Sequence, residues 1–68
     1  MKYRFNLHDV RNGGDTITLS VECRSDNVAI WQAWQNLLAR NYCDRVTIYR
    51  LLTDDDCGPI KFLRELVL

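Results

Sequence analysis

The sequence holds one histidine, one proline and three glycines, and no charge of one sign prevails: nine lysines and arginines are matched by nine aspartates and glutamates. One histidine leaves little for acid–base or nucleophilic chemistry, which needs a base, a nucleophile and a group that orients them. Balanced charge argues against holding nucleic acid by bulk electrostatics, since such proteins carry a basic excess. It also leaves little self-repulsion, so a homodimer is allowed. Three cysteines, Cys23, Cys43 and Cys57, without CxxC spacing make a poor disulfide framework and fit a reducing cytoplasm. No apolar run approaches the roughly 20 residues of a membrane span. Met1 to Asn6 alternates polar and apolar residues and lacks the apolar core of a signal peptide. The expectation is a cytoplasmic protein with no membrane contact, no cofactor and no metal.

The large apolar side chains are plentiful. Trp31, Trp34, Phe5, Phe62, Tyr3, Tyr42 and Tyr49, with many Leu, Ile and Val, suffice for one core and one domain over residues 1–68. A chain this short buries only about 60% of its unfolded surface, so that core must be well filled.

The periodicities predict an α+β domain. Tyr3, Phe5 and Leu7 alternate with Lys2, Arg4, Asn6 and His8, and Ile17, Leu19, Val21 and Cys23 alternate with Thr16, Thr18, Ser20 and Glu22. Between them Arg11-Asn12-Gly13-Gly14-Asp15 offers the positive φ angles of a hairpin turn, so a hairpin spans Lys2 to Cys23. Ser25-Asp26-Asn27 is a helix start, with a capping side chain and an acid in the first turn. From Val28 to about Tyr42, Ile30, Ala33, Trp34, Leu37 and Leu38 share one helical face. Asp44 to Leu52 reads as a third strand, with Val46, Ile48 and Leu52 inward, Arg45, Thr47, Tyr49 and Leu51 outward, and Arg50 breaking the inward row. The result is a two-layer ββαβ fold, its three-stranded antiparallel sheet ordered 2-1-3 under one main helix. The tail from Ile60 to Leu68 fits a fourth strand or a short C-terminal helix. Pro59 at a first helical position, followed by Lys, Leu, Arg and Glu, favours the helix.

Few residues suggest chemistry. His8-Asp9 and Cys43-Asp44 lie at the same end of the expected sheet, yet they read more simply as a solvent-facing histidine and a cysteine ending a helix. Structural zinc wants four ligands in compact spacing, which three scattered cysteines and one histidine do not supply. Asp54, Asp55 and Asp56 lack the alternating ligands and closing Glu of a calcium loop, so they read as a solvated turn or an acidic prong for a basic partner. Gly13-Gly14 joins two strands, whereas a phosphate cradle joins a strand to a helix. The open sheet face collects Lys2, Arg4, His8, Arg45, Thr47 and Tyr49, a pattern that suits single-stranded nucleic acid but offers one aromatic where such platforms use two or three. Trp34, central on the helical stripe, is expected in the core. Trp31, at its edge, is a candidate contact residue.

A hairpin, then V-E-C-R-S-D-N-V-A-I-W-Q-A-W opening an amphipathic helix, then D-R-V-T-I-Y-R-L, resembles in layout several very small phage-encoded proteins. Among these are the RNA-polymerase inhibitor of podoviruses and some small anti-CRISPR proteins. The resemblance runs from Tyr3 to Leu52 and rests on element order, which ribosomal and toxin–antitoxin domains share. It implies a non-catalytic protein that blocks a host protein or ribonucleoprotein complex, such as a CRISPR effector or RNA polymerase, by docking on it. A nucleic-acid-binding module and a self-associating structural subunit are the alternatives. The residues expected to make contact are Lys2, Arg4, His8, Arg45, Tyr49, Trp31, Asp54, Asp55 and Asp56.

Overall fold

The computed structural model describes residues 1–11 and 14–68. Its elements are β1 (Lys2–Asp9), β2 (Thr16–Glu22), α1 (Asp26–Leu38), β3 (Cys43–Leu51) and β4 (Ile60–Val67). The strands form one antiparallel sheet in the order β2-β1-β3-β4 with α1 across one face. The expected 2-1-3 arrangement is therefore present, extended by an outer fourth strand.

Strand β1 shows why alternation is so readable. Tyr3, Phe5, Leu7 and Asp9 are buried under the helix, while Lys2, Arg4, Asn6 and His8 face the other way. Its neighbours keep the register: Phe5 lies opposite Leu19 on β2 and Ile48 on β3. At the turn, Gly14 adopts φ +86°, a conformation that glycine takes without a Cβ penalty. Asn12 and Gly13, assigned to the same turn from sequence, lie outside the described residues.

Ser25 caps α1, its Oγ accepting the Val28 N–H at 3.3 Å. The helix stops at Leu38, short of the expected Tyr42. Tyr42 lies in the turn beyond it, its ring 3.7 Å beneath the Arg11 guanidinium. The buried line is Ala29, Ala33 and Leu37, with Ile30 and Trp34 on its flank and Leu38 exposed. The expected stripe centred on Trp34 is thus rotated by one position. Two alanines at the point of closest approach let the helix backbone settle onto β3, which a central tryptophan would hold off.

One further expectation is corrected on β3: Leu52, expected inward, is 55% exposed, while Leu51 lies outward on the open face as expected yet is only 6% exposed. The segment 52–59 folds back across the open face: Lys2 Nζ donates to the Asp54 carbonyl at 3.1 Å, and the Arg4 guanidinium donates to the Asp56 carbonyl. That cover buries Leu51. Arg50 keeps its helix-side position by pairing with Asp26 at the start of α1, N to O 3.8 Å.

The tail is a strand, and the preference for a helix is corrected. Without β4, the outer edge of β3 would leave a row of unpaired backbone groups, and Val46 and Ile48 would lack a neighbour on one side. Pairing along β3 meets both needs, with Leu63 and Leu66 packed against the core. Pro59 falls just before the ladder, where its missing N–H costs nothing, and its carbonyl accepts the Leu52 N–H at 3.0 Å. A bulge resolves the awkward alternation of the tail. Tyr49 pairs with Phe62 but Ile48 with Arg64, so Leu63 is the extra residue. Ile60 and Phe62 consequently share the open face with Glu65 and Val67, while Leu63, Arg64 and Leu66 turn to the helix side.

Below the helix the core is closed by one polar tie. The Tyr3 hydroxyl, fully buried, donates to Asp26 Oδ1 at 2.6 Å and so joins β1 to the first turn of α1. Burial, with the Asp26 carboxylate beside it, pushes the phenol from 10.0 up to about 12.

Candidate docking surface around the outer strand

The residues singled out from sequence divide between two faces. Lys2, Arg4, His8, Arg45 and Tyr49 do share the open face, as their registers on β1 and β3 require. Four of these five side chains already have a polar partner within the domain. Lys2 and Arg4 hold the carbonyls of the 52–59 loop, Arg45 lies 3.8 Å from Glu65, and His8 Nε2 is 3.3 Å from Thr47 Oγ1. Each of its cations is therefore partly engaged by internal contacts.

Asp54, Asp55 and Asp56 are exposed, but the loop they form is built rather than loose. Asp55 Oδ1 accepts the Cys57 N–H at 2.9 Å, and Thr53 Oγ1 accepts the Asp55 N–H at 3.3 Å. Gly58 closes the turn: a Cβ there would run into Thr53 Oγ1 and stand 3.0 Å from the Asp55 carbonyl.

His8 and Cys43 are near in register, but His8 lies on the open face while the Cys43 thiol is buried in the core, where desolvation pushes its pKa up. That is the reverse of what activates a cysteine nucleophile. Asp9, beside Cys43, is held by Arg11, whose Nε and Nη2 donate to its two oxygens at 3.2 and 3.1 Å and keep the carboxyl below its ordinary range. Among the described residues no group of three His, Cys, Asp or Glu side chains could hold a metal ion, and no helix is long and apolar enough to cross a membrane.

The sequence reading left the tail between a fourth strand and a helix and singled out none of its residues for contact. Phe62 is 57% exposed and meets Tyr49 edge-on, centroids 6.1 Å apart at 70°. Ile60 and Val67 are exposed on the same face, and Leu68 extends beyond them, its N–H donating to the Asp44 carbonyl. Across the strand, on the helix side, Trp31 is 62% exposed. It shares a groove of about 340 Å³ with Asn27, Ile30, Trp34 and Leu66. Trp31 was a candidate; Trp34, expected in the core, is instead half-buried in the groove wall. Phe62 could not be found from sequence, because its face depends on the Leu63 bulge.

No protein family, curated protein or solved structure matches this chain. The site is therefore read from its own geometry. The exposed apolar side chains of β4, Ile60, Phe62 and Val67, lie on its open face, its helix-side Leu63 and Leu66 pack against the core, and the strand pairs on one side only. Backbone groups are available for strand addition along its free edge. The Leu63 bulge, with Lys61, Arg64 and Glu65 around it, interrupts the regular ladder an incoming strand would need, so contact through side chains is favoured over edge pairing.

Proposed function

We propose that this protein is a non-catalytic binding protein that docks on a partner protein through the β4 side of its sheet. The observation that carries the reading is the apolar row on the outer strand, Ile60, Phe62 and Val67, exposed beside Tyr49. Glu65 stands between Phe62 and Val67 on that face; exposed apolar side chains with a polar surround mark contact surfaces, and aromatic anchors dominate their energetics. In this reading the protein acts in the cytoplasm by occupying the surface of a larger machine. The likeness in layout to small phage-encoded inhibitors, with an RNA polymerase or a CRISPR effector as target, supports an inhibitory outcome.

A second reading, single-stranded nucleic acid on the open face, gains one observation: Tyr49 and Phe62 give that face two adjacent aromatics. It is weakened by the internal engagement of Lys2, Arg4 and Arg45, which phosphates would have to displace. One experiment separates the two. Tagged protein and the Phe62→Asp/Val67→Asp variant are used to capture partners from bacterial lysate, with and without nuclease, both proteins first matched for thermal stability. A stoichiometric protein that survives nuclease and disappears with the variant is expected. Recovery of nucleic acid alone, lost on nuclease treatment, would replace docking with the second reading.

A further inference from the structure

We propose that the groove between α1 and β4 takes an amphipathic segment of a partner protein, its apolar side seated on Trp31 and Trp34 and its other side acidic. The inference rests on the protein-docking reading and names the chemistry of the partner.

The apolar requirement follows from the lining. Ile30, Trp31, Trp34 and Leu66 surround a space of about 340 Å³, and Asn27 is the one polar side chain among them. Trp31 stands 62% exposed above it. On α1 the positions Asn27, Trp31, Trp34 and Leu38 recur at helical spacing beside the buried line of Ala29, Ala33 and Leu37, with Trp34 half-buried and Trp31 and Leu38 exposed. This row thus has the length of several helical turns, which suits a segment better than a small molecule.

The acidic requirement follows from charge. Register places Lys61 opposite Arg50 and Arg64 opposite Ile48, all on the helix side of the sheet. Three cations, Arg50, Lys61 and Arg64, therefore lie on the same side of the sheet as the groove, outside its apolar lining. Asp26 pairs with Arg50 at 3.8 Å and already accepts the Tyr3 hydroxyl at 2.6 Å. Lys61 and Arg64 have no ionic partner among the described residues. Like charges directly across a strand pair repel, and an incoming carboxylate would relieve the Arg50–Lys61 pair. The chain's own acidic run, Asp54 to Asp56, cannot serve, because its loop is tied by its carbonyls to Lys2 and Arg4 on the opposite face. A second copy docking by two-fold symmetry would set these cations near their own image, which like-charge repulsion disfavours.

The test uses the whole chain with two fluorescein-labelled synthetic amphipathic helices sharing one leucine face, one carrying glutamates and the other lysines on the polar face. Anisotropy is read at low and at moderate salt. The glutamate peptide should bind saturably, with a blue shift of tryptophan emission, and at least tenfold more tightly than the lysine peptide at low salt. Trp31→Ala should weaken it tenfold or more, and since Trp31 is exposed the variant's melting temperature should not move. Lys61→Glu/Arg64→Glu should reverse the preference in favour of the lysine peptide. Three results would overturn the proposal: equal binding of the two peptides, no binding of the glutamate peptide, or binding indifferent to Trp31→Ala. Concentration-dependent dimerisation that buries Trp31 and excludes the peptide would also overturn it, naming a second copy as the occupant. Loss of the lysate partner with the Phe62/Val67 variant, alongside failure of these peptide assays, would leave docking intact and remove only the groove.

Discussion

Replacing Tyr3 by Phe removes one hydroxyl and nothing else, at the point where β1 is tied to the first turn of α1. The bond is short, 2.6 Å, and its acceptor Asp26 Oδ1 is charged. A bond of this kind contributes on the order of 1.5–3 kcal/mol. Asp26 keeps Arg50 at 3.8 Å, and its side chain is 42% accessible to water, so the loss should fall near the lower figure, about 1.5 kcal/mol. For a domain of this size, that corresponds to a melting temperature lower by roughly 6–12 °C. It is a sizeable share of a total stability of about 3–10 kcal/mol.

The same side chain supplies a second, independent signature in pH. Burial comes first, then the hydrogen bond to Asp26 and its charge, and together they lift the phenol from 10.0 to about 12. A folded-state value above the unfolded one means that the stability is fully present below about pH 10 and is lost as pH rises through 12. The wild type should therefore lose on the order of 2–3 kcal/mol over that window, while Tyr3→Phe has no such group to titrate. The two proteins, separated at pH 7, should converge near pH 11. Urea unfolding followed by circular dichroism at pH 7, 10 and 11 measures the gap. A gap that stays constant across this range, or one absent at pH 7, would refute the reasoning.

Two further outcomes follow from local geometry. Gly58→Ala should lower stability by about 1–3 kcal/mol through overpacking against Thr53 and Asp55; faster amide exchange confined to residues 52–59 and Leu51 would show the loop lifting from the sheet, and unchanged exchange would contradict the cover assigned to it. Asp9 is held below its ordinary value by Arg11, so its contribution is present above the usual carboxylate range and disappears as pH falls. Asp9→Asn should accordingly flatten the acid limb of a stability–pH curve, and an unaltered limb would mean that another carboxylate governs it.

Strand alternation and the helix cap were legible because each is a local property. Whether Tyr3, Phe5 and Leu7 share a face is decided by the pleat alone, and Ser25 caps α1 with its own Oγ three residues on. The open-face positions of Lys2, Arg4, His8, Arg45 and Tyr49 followed from the same period. What those residues touch did not. The loop that claims Lys2 and Arg4 lies 52 residues further along the chain in each case, and nothing near Lys2 records its approach.

The sequence by itself determined the hairpin, the helix and its start, the third strand, and the absence of an excess of charge of either sign. Those are written in spacing, capping groups and composition, which need no partner to act. Tertiary structure alone decided that Ile60 to Val67 is a strand, because the free edge of β3 outweighs the helical preference of Pro59-Ile60-Lys61. It decided the Leu63 bulge, which turns Phe62 to one face and Leu66 to the other and so creates both candidate surfaces. It also decided which helical line is buried, since the sheet accepts the small side chains of Ala29 and Ala33 at closest approach and leaves Trp31 and Trp34 at the groove. Each of these outcomes compares one segment's preference with what a distant segment offers in return, and a comparison of that kind is settled only when the two meet.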